Sequence, residues 1–137
     1  MSLLIRHNKE VVEYGVGKER STVVLEKPHV LEILQEMRKQ FTKSCLQIPQ
    51  ITVNIGSSYV HPGDQFNKRL GRSLAQSRMK PVVCTIKSGS YENMSDAIYL
   101  VLEGVDDEHQ VKYDINVKIY RDSGEMRVMH VFTRSWE

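Results

Sequence analysis

The sequence predicts an α+β fold: a mainly antiparallel sheet with two amphipathic helices, about 28–43 and 64–79, on one face, and a C-terminal three-stranded meander over about 97–133. Three observations predict it. Apolar residues in QVKYDINVKIYR (110–121) alternate strictly, the period of a strand with one buried face. In EKPHVLEILQEMRKQFTKSC the spacing becomes that of a helix, and GVDDEH and RDSG have the length and composition of hairpin turns. At 137 residues the chain suits one domain, 1–137, which buries roughly two thirds of its unfolded surface.

Taken in order, LLI (3–5), VVEYGV (11–16) and STVVLE (21–26) are strand-like runs separated by turn-like HNKE and GKER. In the first helix Val30, Ile33, Leu34, Met37 and Phe41 form the apolar stripe, Pro28 suits the first turn, and Glu32 and Glu36 lie opposite. LQIPQITVNI (46–55) returns to alternation. Ile51, Val53 and Ile55 share a side, so the strand begins after Pro49. GSSYVHPGD is predicted as a loop.

The second helix starts from Asp64 as N-cap. Phe66, Leu70, Leu74 and Met79 supply its apolar stripe, and Pro81 ends it. Gly71 and Ala75, four apart, leave a smooth patch for a close approach. A mid-helix glycine costs about 1 kcal/mol relative to alanine, which points to a packing or contact reason. VVCTIK (82–87) is a buried-type strand and SGSYENMSD a polar loop. AIYLVLE (97–103) is apolar on both faces, as in a central strand covered on each side. In 110–121, Val111, Tyr113, Ile115, Val117 and Ile119 face the core, and EMRVMHVFT pairs back on that strand.

No segment approaches the roughly 20 apolar residues of a membrane span, and MSLLIRHNKE lacks the apolar core of a secretory signal. No membrane association is expected, and the setting is cytoplasmic. Cys45 and Cys84 are isolated and fit reduced structural thiols. The net charge of +2 conceals a division. Residues 1–87 carry 14 Lys and Arg against 7 Asp and Glu, net +7, and residues 88–137 carry 5 against 10, net −5. Such opposed regions can steer an anionic partner to one side or hold the molecule's own halves together.

Motifs for chemistry are sparse. His7, His29, His61, His109 and His130 lack the spacings of a preformed metal site, so no metal is assigned. GxSxG is absent, and GVGK within YGVGKERS lacks the GxxxxGK(S/T) spacing and following helix of a phosphate loop, so it fits a hairpin turn. No catalytic residue and no cofactor is assigned. A metal-dependent nuclease ranks third among the functions considered: Asp106, Asp107, Gln110 and Lys112 supply the residue types, but in a hairpin turn where carboxylates are solvated.

The basic helix remains. Window 61–80 carries Lys68, Arg69, Arg72, Arg78 and Lys80 against Asp64 alone, with Lys68, Arg69 and Arg72 on one side. Arg69 and Arg72 can donate paired hydrogen bonds to phosphates or to a partner's carboxylates. His61 can contact an anion at the helix N-terminus, in competition with Asp64. The candidate binding set is therefore Lys68, Arg69, Gly71, Arg72, Lys80 and His61.

FNKRLGRSLAQSRM (66–79), preceded by Asp64, resembles a helix of small accessory proteins encoded by tailed phages, in which an aspartate-phenylalanine start leads to a glycine-arginine pair and then alanine and arginine. The matching positions are Asp64, Phe66, Gly71, Arg72, Ala75 and Arg78, about one eighth of the chain. The resemblance carries over no active site. It implies a phage-encoded accessory protein in the host cytoplasm, binding a host or phage component. Two function classes follow. The first is a non-enzymatic protein that binds and modulates or inhibits a host protein or nucleoprotein complex. The second is a nucleic-acid binder holding phosphates with the basic helix. Homo-oligomerisation is a further route, since the basic helix and the acidic meander are complementary.

Overall fold

The computed structural model describes residues 3–13, 18–42, 48–60, 67–88 and 96–135. In chain order the elements are β1 (Leu3–Glu13), β2 (Lys18–Glu26), α1 (Val30–Thr42), β3 (Gln50–Val60), α2 (Lys68–Ser77), β4 (Lys80–Ser88), β5 (Ala97–Asp106), β6 (Val111–Tyr120) and β7 (Met126–Ser135). Mostly antiparallel strands with two helices make the fold α+β. The chain divides into two compact units, Met1–Lys27 with Val53–Pro81, and Pro28–Thr52 with Val82–Glu137. No described helix is long and apolar enough to cross a membrane.

In the first unit β1 pairs antiparallel with β2, and β2 with β3. β1 is one strand where the sequence predicts two. Pairing runs from Leu3↔Glu26 to Asn8↔Ser21 and resumes at Val12↔Glu19, so one strand runs through the turn-like HNKE with a shift of register after Asn8. GKER is likewise mostly strand, from Lys18 onward. Residues 14–17, including most of the expected hairpin turn, lie outside the described set. Ser21 to Leu25 are all buried, so β2 is covered on both faces.

Ile51, Val53 and Ile55 are buried as their alternation predicts. The strand then continues to Val60, through GSSYV, which the sequence places in a loop. Val24 pairs with Gly56, Val23 with Ser57 and Thr22 with Ser58. Ladder pairing overrides loop-like composition here, and the small residues are small because a helix lies on them. The rest of that expected loop, 61–64, lies outside the described residues.

In the second unit α1 falls within the predicted span. Ile33 is fully buried, Val30, Leu34 and Met37 half-buried, and the His29 carbonyl accepts from the amides of Glu32 and Ile33 at 3.1 and 3.4 Å to open the helix. The side chain of Phe41 lies outside the described set. β4, β5, β6 and β7 pair antiparallel in that order. β5 is central, but it is not covered equally on both sides. Leu100, Leu102, Gly104 and Asp106 are buried while Tyr99, Val101 and Glu103 are half-buried and Val105 is exposed. Val111, Tyr113, Ile115, Val117 and Ile119 of β6 are all buried, as expected. Gln110 and Gly124 take positive φ, 53° and 69°, in the turns on either side of β6.

β7 contains the second irregularity. Asn116 pairs with His130 and Val117 with Val128, so Met129 is an extra residue between them. A one-residue insertion reverses the facing of everything beyond it. Met126 and Val128 point inward before the bulge and Val131 after it, leaving Arg127, His130, Phe132 and Arg134 exposed.

Candidate functional site

Helix α2 carries most of the residues the sequence singles out. It begins later than the spacing predicts. Asn67 is the N-cap, extended at φ −119° and ψ 108°, and its side-chain oxygen accepts from the amides of Arg69 at 3.0 Å and Leu70 at 3.2 Å. The expected cap Asp64 and the expected stripe residue Phe66 lie outside the described residues. The helix ends at Ser77, with the Arg78 amide returning to the carbonyls of Leu74 and Ala75.

The buried side of α2 is not the predicted leucine stripe. Gly71 and Ala75 are buried, whereas Leu70 is 67% and Leu74 42% exposed. The cause is backbone proximity. A Cβ on Gly71 would lie 2.7 Å from Thr22 Oγ1, and one on Gly56 would overlap the Ala75 carbonyl oxygen and crowd Met79 N and Arg78 C. Two glycines, one on the helix and one on β3, let the helix sit too close to the strands for leucine to fit between. Ser58 Oγ donates to the Gly71 carbonyl at 2.7 Å, and His7 Nδ1 lies 3.0 Å from Thr22 Oγ1 beneath the same contact.

Gly71 is therefore spent on internal packing and is withdrawn from the outward binding set. Lys68, Arg69 and Arg72 remain together on the exposed side. Arg78 turns inward, its guanidinium donating to the Ser57 carbonyl at 3.4 Å. Lys80 is half-buried as the first residue of β4, off the helix face. His61 lies outside the described residues.

At about 100° per residue, the exposed arc of α2 has an apolar edge, Leu70 and Leu74, and a cationic edge, Lys68 and Arg72, with Arg69, Ser73 and Ser77 across the middle. No carboxylate lies on the helix. Periodicity placed the leucines inside, whereas the smooth patch expected of Gly71 and Ala75, four apart, is where the close approach occurs.

A second cluster occupies the β5–β6 turn. Asp106 is 1% exposed, not solvated as its place in DDEH predicts. Its Oδ1 accepts from the His109 amide at 3.3 Å and its Oδ2 lies 2.7 Å from His109 Nδ1. Ligand atoms of Asp106, Glu108 and His109 lie within 4.8 Å of one another. Both Asp106 oxygens engage the turn itself, through His109, the residue before Gln110 with its positive φ. Asp107 and Gln110 are exposed and Lys112 is half-buried on β6, so the residues named for nuclease chemistry are split between turn and sheet face.

No family model, no curated protein and no solved structure matches the chain. The chemistry of its surfaces is the guide to function.

Proposed function

We propose that this chain is a non-enzymatic accessory protein that binds and modulates a protein partner, alone or within a nucleoprotein complex, through the exposed face of α2. The observation that carries it is the exposure of Leu70 and Leu74, one turn apart, on a helix whose other edge is cationic. Paired apolar anchors at i and i+4 suit a helix seated against a groove of another protein. Two exposed leucines on a ten-residue helix bring nothing to a phosphate backbone. The partner surface complementary to this face has an apolar slot bordered by carboxylates, which Arg69 and Arg72 engage in paired hydrogen bonds. Ser73 and Ser77 between the edges let a partner backbone come near.

The test compares tagged wild type with two double variants, Leu70→Ser/Leu74→Ser and Arg69→Ala/Arg72→Ala, in pull-downs from lysate of the organism carrying the gene. A partner retained by wild type and weakened at least about tenfold, or 1.4 kcal/mol, by each variant supports the proposal. Recovery of the same partners by the leucine variant at wild-type level overturns it. Loss with the arginine pair alone, together with oligonucleotide binding that weakens as salt rises, selects phosphate binding by the helix instead.

A further inference from the structure

We propose that the outward face of the β4–β7 sheet binds single-stranded nucleic acid, independently of α2. The sequence count makes residues 88–137 acidic, net −5, yet most of the carboxylates among the described residues are not on the sheet face. Asp96, Asp107, Glu108, Asp122 and Glu125 lie in or beside turns. Among the described residues the strands present outward Lys87, Lys112, Lys118, Arg127 and Arg134 against Glu103 and Asp114, with Glu125, beside the turn, 3.8 Å by its Oε1 from Arg127 Nε. Lys87 Nζ lies 2.7 Å from Glu103 Oε2, and burial, followed by a smaller effect of Glu103, raises the Asp114 carboxyl above its ordinary value despite the nearby cations. With Lys87 contributed from outside residues 88–137, the face carries five cations against two carboxylates, in a region that is anionic by count.

Aromatic rings are interleaved with those cations. Tyr99 of β5 pairs with Lys118 of β6, which pairs with Arg127 of β7, a row across three strands. Lys118 Nζ stands 5.4 Å from the Tyr99 ring centre and 4.6 Å from that of Tyr120, and Arg127 Cζ lies 5.6 Å from Tyr120. Further along β7, the Met129 bulge turns Phe132 outward, 50% exposed, with the His130 ring 5.8 Å away. Tyr99 and Tyr120 flank Lys118, and Phe132 stands opposite Asp114, four residues or about 14 Å further along the sheet at about 3.4 Å per residue, so the two aromatic groups are spaced for bases about two nucleotides apart on an extended strand.

Stacking surfaces with cations between them suit a strand whose bases are unpaired and turned toward the protein, its phosphates tracking the lysines and arginines. A duplex hides its base faces, and an acidic peptide has none to offer the rings. Charge complementarity and exposed aromatic surface thus select a single strand, DNA or RNA.

The experiment is fluorescence anisotropy with labelled oligothymidylate and oligouridylate of about 12 nucleotides, a length within the site sizes of single-strand binders. Competitors are duplex DNA and poly-glutamate, and salt runs from about 50 to 200 mM. The wild type is expected to bind either strand with log affinity falling linearly with log salt. Phe132→Ala is expected to weaken binding about tenfold through lost stacking. Arg127→Glu removes a phosphate contact and is expected to weaken binding and flatten the salt slope by about one or more. Circular dichroism verifies that both exposed-site variants fold. Absence of binding at the lowest salt, equal competition by duplex or poly-glutamate, or wild-type affinity of both variants each overturns the proposal. Leu70→Ser/Leu74→Ser should bind the oligonucleotides as wild type does, so failure here and failure of the α2 proposal are separable.

Discussion

The hydroxyl of Ser58 donates to the carbonyl of Gly71 at 2.7 Å, a side chain of β3 bonded to the backbone of the middle of α2. Helix backbone comes within reach of a serine only because Gly71 has no side chain to hold it off. That approach decides which face of α2 is buried, and with it what α2 offers outward.

Substitutions at the two glycines should differ in cost. Gly56→Ala forces a methyl into backbone atoms of Ala75, Arg78 and Met79, which cannot rotate away, and a loss of about 3 kcal/mol or more is expected by urea denaturation. Gly71→Ala meets mainly the Thr22 side chain, and the alanine returns about 1 kcal/mol of helix propensity, so the loss should be markedly smaller. Equal costs would contradict the close backbone approach at Gly56.

Leu70 and Leu74 provide the complementary test. Buried leucines cost about 2–5 kcal/mol when cut to alanine. These two are exposed, so Leu70→Ala and Leu74→Ala are each expected within about 0.5–1 kcal/mol of wild type in the same denaturation assay. A loss near the core value would restore the stripe the periodicity predicts.

Asp114 predicts a pH dependence. Its Oδ1 is buried without a hydrogen-bond partner, and burial raises its carboxyl above the ordinary value. Between the unfolded and the raised native value the native state holds more protons, so Asp114's contribution to stability falls as pH rises through that interval. Asp114→Asn abolishes this. Its thermal midpoint should exceed the wild type's at neutral pH, with the gap closing as pH falls toward the unfolded carboxyl value; a gap that widens on acidification refutes the assignment.

Cys84 is a free, fully buried thiol facing Gly104 across the strand pair, and desolvation pushes it up to about 11. Alkylation by iodoacetamide at pH 8 should leave Cys84 unmodified in the native protein and modify it fully in denaturant, read by mass spectrometry of the peptide. Rapid native labelling of Cys84 would place it at the surface.

Where local pattern and burial coincide, the sequence alone was sufficient. Val111 to Ile119 alternate and are buried in alternation, and α1 runs where its 3.6-residue stripe runs, because each follows from a chain burying one face. HNKE and GSSYV failed for a common reason. Polar and small residues imply turns in isolation, but a neighbouring strand pairs with His7 and Asn8 of HNKE and with all of GSSYV, and that tertiary gain outweighs local preference.

For the candidate surfaces, the sequence determined the cations of α2 and the alternation of β6, both local properties of residue type and spacing. Tertiary structure decided the rest. Leucine loses the inner side of α2 to Gly71 and Ala75 because Gly56 brings strand and helix backbones together, a contact between residues distant in the chain. Phe132 and His130 face outward because one extra residue, Met129, shifts the phase of β7 against Asn116 and Val117. A strand with period two carries no mark of which phase its partner will accept, so that choice belongs to the pairing and not to the strand.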